Sequence, residues 1–256
     1  SAEAGSLENI RVTGVNADSR AIAFGDAFFA LPGSTQHGDT YAAKAVERGA
    51  RVVVSDRPCT PDPGVSVIVV NDVRGAYARA AAISAGPQPA TMIAVTGTNG
   101  KTSVASFVRQ IWDHAGVPGA SIGTLGIETS KRVIEGALTT PDSRTLHQAM
   151  RALKAQGIDH VALEASSHGL DQRRLDGVRV SACAFTRSSK SSAVSRSSPG
   201  SEGSVFGRIQ HGPKYTLAMA GWESYGSAIA GKLPAVSGFQ VFCGNRQSIP
   251  SSSIDS

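Results

Sequence analysis

The sequence predicts an α/β protein: a P-loop-type parallel sheet preceded by a smaller α/β unit and followed by an irregular, serine-rich tail. Three observations carry this expectation. The apolar run Met92-Ile93-Ala94-Val95 leads straight into Thr96-Gly97-Thr98-Asn99-Gly100-Lys101-Thr102, a strand entering a glycine-rich loop where a helix begins. On both sides of that loop strand-like and helix-like segments alternate, the pattern of a parallel sheet covered by helices. At residue 187 the composition changes abruptly, and half of residues 187–200 are serine.

In the first region, 1–88, Asp26–Leu31 and Arg51–Val54 read as strands with a helix across Thr40–Arg48 between them. Val65–Val70 reads as a further buried strand and Val73–Ser84 as an alanine-rich helix. Gly86-Pro87-Gln88-Pro89 punctuates the chain, and a domain boundary is expected there. The second region, 89–186, reads as strand 92–95, helix 101–115, strand 120–123, helix 144–156, strand 160–164 and strand 178–185. Asp142 or Ser143 can cap its second helix and Gly157 can end it. Ligands of such a sheet bind at the carboxyl ends of the strands. The third region, 187–256, has short apolar patches broken by Gly, Pro and Ser and is expected to be irregular.

A chain of 256 residues can bury a substantial core as one large or two ordinary domains. Its net charge is +5, but the excess is local: residues 187–256 hold seven Lys/Arg against three Asp/Glu, and residues 1–186 hold eighteen against seventeen. No basic stripe with interleaved aromatics appears, so no nucleic-acid partner is expected. No apolar run is long enough to span a bilayer, so no membrane partner is expected either. Cys59, Cys183 and Cys243 are scattered and odd in number. They suit neither a metal site nor a disulfide framework, fit a reducing cytoplasm, and each reads as a small buried residue.

The loop carries the first chemistry. Its glycines let backbone N–H groups turn towards phosphate oxygens. Lys101 is placed to reach terminal phosphates, Thr102 to put its hydroxyl on Mg²⁺, and the helix behind them to present its positive end to the anion. ATP with Mg²⁺ is the implied ligand, held by Thr96, Gly97, Thr98, Asn99, Gly100, Lys101 and Thr102. The general P-loop has a glycine where this chain has Val95.

The second constellation is Leu163-Glu164-Ala165-Ser166-Ser167-His168-Gly169-Leu170, at the end of a predicted strand that should lie on the same edge of the sheet as the loop. Glu164 is the metal candidate, because Mg²⁺ takes hard oxygen ligands and few of them from protein. Read blandly, it is a strand-end carboxylate in a surface ion pair. His168 is a base, an orienting group or a structural histidine. A Ser166/His168 hydrolase pairing lacks the glycine-flanked nucleophile elbow.

The loop's short form, followed by Lys101-Thr102-Ser103, resembles that of the Mur ligases. Their folylpolyglutamate synthetase relatives typically continue Gly-Lys-Gly-Ser. Leu163–Leu170 closely resembles the Glu-Val/Ala-Ser-Ser-His-Gly/Ala-Leu motif of the MurE-type ligases. Asp18-Ser19-Arg20 with Gly25-Asp26-Ala27-Phe28-Phe29-Ala30 looks like the family's N-terminal signature, Leu138-Thr139-Thr140-Pro141 like its Thr-Thr-Pro loop, and Gln172-Arg173-Arg174 like its Gln-x-Arg pair. The match covers roughly 7–186 in order.

The resemblance implies a UDP-MurNAc-binding unit over 1–88 and a partial ATP-binding central domain over 89–186. It implies that Ser19, Ser34, Thr35 and Gln36 contact the UDP end of UDP-MurNAc-L-Ala-D-Glu. Thr139, Thr140, Ser166, Gln172 and Arg174 would hold the muramoyl dipeptide and its phosphates, with Lys101 and Glu164 catalytic and Thr102 and Glu164 on the metal. Without the resemblance, Thr139-Thr140-Pro141 is an ordinary helix lead-in and Arg173-Arg174 a solvated charge pair. The implied reaction is ATP-driven amide formation with a diamino acid, meso-diaminopimelate or lysine, through an acyl phosphate, by a cytoplasmic monomer.

After Ala184-Phe185-Thr186 the family continues Asn-Leu-Ser-Arg-Asp-His, whereas this chain reads Arg187-Ser188-Ser189-Lys190-Ser191-Ser192. The family's second metal-binding histidine, its carbamylated lysine and its amino-acid-selecting C-terminal domain have no counterpart in 187–256. That stretch is expected to be foreign to the family, through a frameshift or chimera, and the chain is expected not to ligate. Two other readings remain open: a non-catalytic ATP- or UDP-sugar-binding fragment, and a folylpolyglutamate-type ligase.

Overall fold

A computed structural model describes residues 10–136, 138–189, 207–208 and 214–220. The first sheet holds four parallel strands in sequence order: β1 (Val15–Asn16), β2 (Ala27–Ala30), β3 (Val52–Ser55) and β4 (Ser66–Val69). Helix α1 (Ala42–Glu47), entered through a 3-10 turn at Gly38–Tyr41, packs on one face, and α2 (Val73–Ala85) on the other. Period-two alternation divides β2 between them. Phe28 and Ala30 meet Ala42 and Ala45 of α1, while Ala27 and Phe29 meet Val73, Tyr77 and Ala81 of α2. Asp72 begins α2 by accepting a hydrogen bond from the Gly75 N–H.

The second sheet has eight strands. Its parallel centre runs β10 (Ala182–Ser189), β5 (Thr91–Gly97), β9 (His160–Glu164) and β6 (Gly119–Gly123). Helix α3 (Lys101–His114) packs on one face and α4 (Ser143–Ala155) on the other. Neighbouring residues of β5 divide likewise: Met92 joins the α4 core with Leu146 and Met150, and Ile93 and Val95 join the α3 core with Ala105 and Trp112. The order places β5 beside β9, so the phosphate-type loop and the Glu164 segment leave the same sheet edge side by side.

Three expectations need correction. Beyond β6 the sheet turns antiparallel through β7 (Gly126–Thr129) and β8 (Val133–Ile134). The turn depends on Gly126, at φ +92, where a Cβ would lie 2.0 Å from the Ile134 carbonyl oxygen. The strand at 66–69 is an edge strand and only half-buried, because it has a neighbour on one side alone. Cys183 is exposed and Cys59 half-buried rather than both in the core. Cys183 lies on the face of β10 opposite Ala182 and Ala184, which pack towards α3. Cys243 lies outside the described residues. Within 187–256 the described residues include β11 (Gly207–Arg208) and β12 (Lys214–Ala220), with β12 antiparallel to β10 and β11 to β12.

The two sheets meet through α2 and α4. Tyr77 Oη donates to Asp142 Oδ1 at 3.4 Å, and Gln88 both donates to the Gly177 carbonyl (2.6 Å) and accepts from the Arg179 N–H (3.1 Å). Among the described residues no helix is long and apolar enough to cross a membrane.

Candidate functional site

The loop after β5 is shaped by its glycines. Gly97 has φ +128 and Gly100 φ +84, and a Cβ on Gly97 would lie 1.9 Å from the Thr186 carbonyl oxygen. Side chains are therefore excluded where the loop crosses β10. Thr186 fastens the crossing by donating to the Thr96 carbonyl (3.1 Å) and accepting from the Thr98 N–H (3.2 Å). Thr98 and Asn99 are exposed at the tip, and the Lys101 ammonium folds back on the Gly97 carbonyl at 2.8 Å.

Glu164 lies at the centre of the edge and is 1% exposed. Its Oε1 accepts from the Thr124 N–H (2.8 Å) and its Oε2 from the Thr102 (3.1 Å) and Thr124 (3.4 Å) hydroxyls. Among the described residues no Lys or Arg pairs with it. The surface ion-pair reading therefore fails. A buried carboxylate satisfied only by hydrogen-bond donors suits a cation arriving with a ligand, and the oxygen donors present fit Mg²⁺. Gly123 permits the approach, since a Cβ there would lie 2.0 Å from Glu164 Oε1.

The remaining second-sheet candidates join this cluster. Thr124 Oγ1 is 3.0 Å from Thr139 Oγ1. Thr140, 1% exposed, donates to the Glu164 carbonyl (2.9 Å), accepts from the Ser166 N–H (3.0 Å), and lies 3.0 Å from Ser166 Oγ. Ser166 Oγ caps the short helix α5 (Ser167–Asp171) by accepting from the Gly169 N–H. Its partners are Thr140 and Gly169, while the His168 ring meets Gln172 at 2.9 Å, so no Ser166–His168 dyad forms. Arg174 donates to Gln172 Oε1 from Nε and Nη2, and to the Thr140 carbonyl from Nη1 at 2.6 Å. Burial pulls its pKa down, opposed by nearby Asp142 and reinforced by nearby Arg74.

The first-sheet candidates form a separate group. Ser19 is buried after β1, whereas Ser34, Thr35 and Gln36 are exposed after β2, with Gln36 accepting from Tyr41 Oη at 2.8 Å. Both loops leave the carboxyl edge of that parallel sheet. The link to the larger cluster is Arg74, at the start of α2, whose guanidinium donates to the Pro32 carbonyl.

Motif reading missed Thr124, Arg74 and a charged knot beside the 31–37 loop. In that knot His37 Nδ1 lies 3.0 Å from Asp39 Oδ1, and Arg57 binds Asp39, holding its carboxyl well below the usual range. His37 Nε2 is 2.8 Å from Asp56 Oδ1 but outside hydrogen-bond geometry. Only Thr124 carries a sequence signal, the two glycines of Gly123-Thr124-Leu125-Gly126 after a strand.

Residues 95–191 match the model of the Mur ligase middle domain, and residues 11–89 that of the Mur ligase family, catalytic domain. The chain belongs to the Mur ligase family. Similar proteins include the UDP-N-acetylmuramoyl-L-alanyl-D-glutamate--2,6-diaminopimelate ligases of Chelativorans sp. (strain BNC1) and Rhizobium meliloti (strain 1021). The first is 52% identical over 175 residues, covering 68% of this chain and 36% of the relative. The second is 50% identical over 182 residues, covering 71% and 37%. A solved structure of an enzyme with the same name superposes with a TM-score of 0.63 at 29% identity, covering 73% of this chain and 38% of that one. This Mur ligase chain thus spans little more than a third of the length of the relatives it matches.

Proposed function

We propose that residues 11–186 form the UDP-MurNAc-L-Ala-D-Glu- and ATP-binding part of a ligase that adds a diamino acid to that nucleotide peptide in cytoplasmic peptidoglycan synthesis. The observation that carries the reading is the buried Glu164 carboxylate, set beside Thr102 at the foot of the glycine loop with no cationic side chain on it among the described residues. The relatives' names make 2,6-diaminopimelate the proposed amine.

In this reading the chain divides near residue 88 into a uridine-side unit and a nucleotide-side unit. Thr96 to Thr102 hold the ATP phosphates through loop N–H groups and the start of α3. Lys101 releases the Gly97 carbonyl to meet the terminal phosphate, which is how it would act on the charge developing during transfer. Thr102 and Glu164 hold Mg²⁺, which would supply neutralisation of phosphate charge. Thr139, Thr140, Ser166, Gln172 and Arg174 orient the D-Glu end so that its carboxylate can be activated as an acyl phosphate, and Ser19, Ser34, Thr35 and Gln36 hold the uridine end. Positioning supplies much of the rate.

Residues 187–256 carry no Asn-Leu-Ser-Arg-Asp-His continuation. The polypeptide as it stands is therefore proposed to bind both nucleotides as a monomer without joining the amine. The test is calorimetric titration with Mg²⁺–ATP and with UDP-MurNAc-L-Ala-D-Glu, alongside an assay for tripeptide formation. Binding of both without product supports the reading. Formation of product overturns the inactivity, and binding of a folate instead of the UDP-sugar overturns the substrate.

A further inference from the structure

Arg173 is the one non-glycine with positive φ among the described residues, at +54°. The left-handed region is unfavourable for a residue carrying a Cβ, so the surroundings must hold it there. They do so from both sheets. Arg173 Nε lies 3.3 Å from Asp72 Oδ2, at the start of α2 beneath the first sheet, and Arg173 Nη1 lies 3.0 Å from Asp176 Oδ2 on its own turn. The backbone turns tightly, with the Arg173 N–H donating to the Leu170 carbonyl and the Arg174 N–H to the Gly169 carbonyl, both at 2.9 Å. That turn points the next side chain, Arg174, beneath Thr140 and onto Gln172.

Asp72 is well placed for a second task. Its Oδ1 caps α2, leaving Oδ2 for Arg173. Two residues on, Arg74 holds the Pro32 carbonyl at the start of the uridine-side loop. The first turn of α2 thus touches both substrate-side segments.

We propose that Arg173 is a positioning residue for Arg174, held across the two sheets by Asp72. Its substrate class rests on the function proposed above. The half-exposed ion pair is a modest constraint, in the range of about a two- to fivefold effect. Its consequence is directional: it sets where the Arg174 fork stands relative to the α2-anchored loop.

The test uses the whole chain with Asp72→Asn, Arg173→Gly and the double variant. Asn caps a helix as well as Asp does, so the first removes charge and keeps the cap. Gly accepts positive φ, so the second removes the strut while relieving strain. Each Tm should stay within about 3 °C of the parent. The first readout is solvent exchange of the Arg174 Nε–H in the ligand-free protein. It should rise about two- to fivefold in either single variant and no further in the double, because the two residues act as one unit. The second is affinity for UDP-MurNAc-L-Ala-D-Glu, expected to fall about two- to fivefold with ATP affinity unchanged. Unchanged exchange in the singles, or additive effects in the double, overturns the strut. A parent chain that does not bind the nucleotide peptide overturns the substrate reading instead, and the exchange measurement still decides the strut.

Discussion

Replacing Glu164 by Gln separates a cation-binding role from a structural one, because the side chain keeps its shape and loses its charge. In the ligand-free protein two effects oppose each other. Glu164 accepts three hydrogen bonds, from the Thr124 N–H and from the Thr102 and Thr124 hydroxyls. Bonds to a charged group contribute about 1.5–3 kcal/mol, against about 0.5–1.5 kcal/mol for neutral ones, so neutralising it weakens each by about 1 kcal/mol. Against this stands the desolvation of a carboxylate that is 1% exposed, several kcal/mol in effect, which the amide escapes. The hydroxyls can also rotate to suit the new donor. The expected net change is within about 2 kcal/mol, read by urea denaturation. Mg²⁺–ATP binding has no such compensation: even outer-sphere partners of a metal matter about 10- to 100-fold, and a direct ligand at least as much. Calorimetry with ATP should show that loss in Mg²⁺ and parity with the parent in EDTA. Equal affinity for Mg²⁺–ATP in parent and variant would refute the metal role. A stability loss above about 4 kcal/mol would show that the charge is structural.

Three further outcomes are expected. Gly97→Ala places a methyl against the Thr186 carbonyl at positive φ, so thermal denaturation should show a loss of about 1–3 kcal/mol, with ATP binding abolished. Thr140→Val keeps the shape of a buried side chain but deprives the Glu164 carbonyl and the Ser166 N–H of their partner, which should cost about 1–3 kcal/mol in urea while leaving ATP affinity nearly intact. His147 is buried, with Nε2 on the Asp176 carbonyl and Nδ1 without a hydrogen-bond partner among the described residues, and burial lowers its pKa below the ordinary value of 6.5. The unfolded chain then binds more protons than the folded one below that pH. Stability is present above 6.5 and erodes as the pH falls towards the folded pKa, and His147→Gln should flatten this slope in urea titrations between pH 7 and 5.

The readable elements were those with a strong period or a strong motif. Strand 160–164 appears as expected, and helices 101–114 and 143–155 lie within two residues of their expected ends. What escaped was decided by pairing and placement rather than by residue type. Val133-Ile134 is too short to show a period and becomes a strand only because β7 presents its edge. Thr124 is signalled only by the glycines around it, and its place on Glu164 follows from β6 lying beside β9. Cys183 looks like a core residue by type, but its position in the alternation of β10 puts it on the exposed face.

By itself the sequence determined the candidate groups: a glycine pair with lysine and threonine after an apolar strand, and a glutamate closing another. Those features are local, because loop conformation and strand alternation are set by the nearest few residues. Only the tertiary structure decided how the groups meet. Strand order laid β5 against β9 and so brought Thr102 to Glu164, and the packing of α2 on α4 carried Asp72 to Arg173. Contacts of that kind rest on chain segments tens of residues apart, whose proximity is fixed by burying two faces of each sheet at once and by no property of either segment alone.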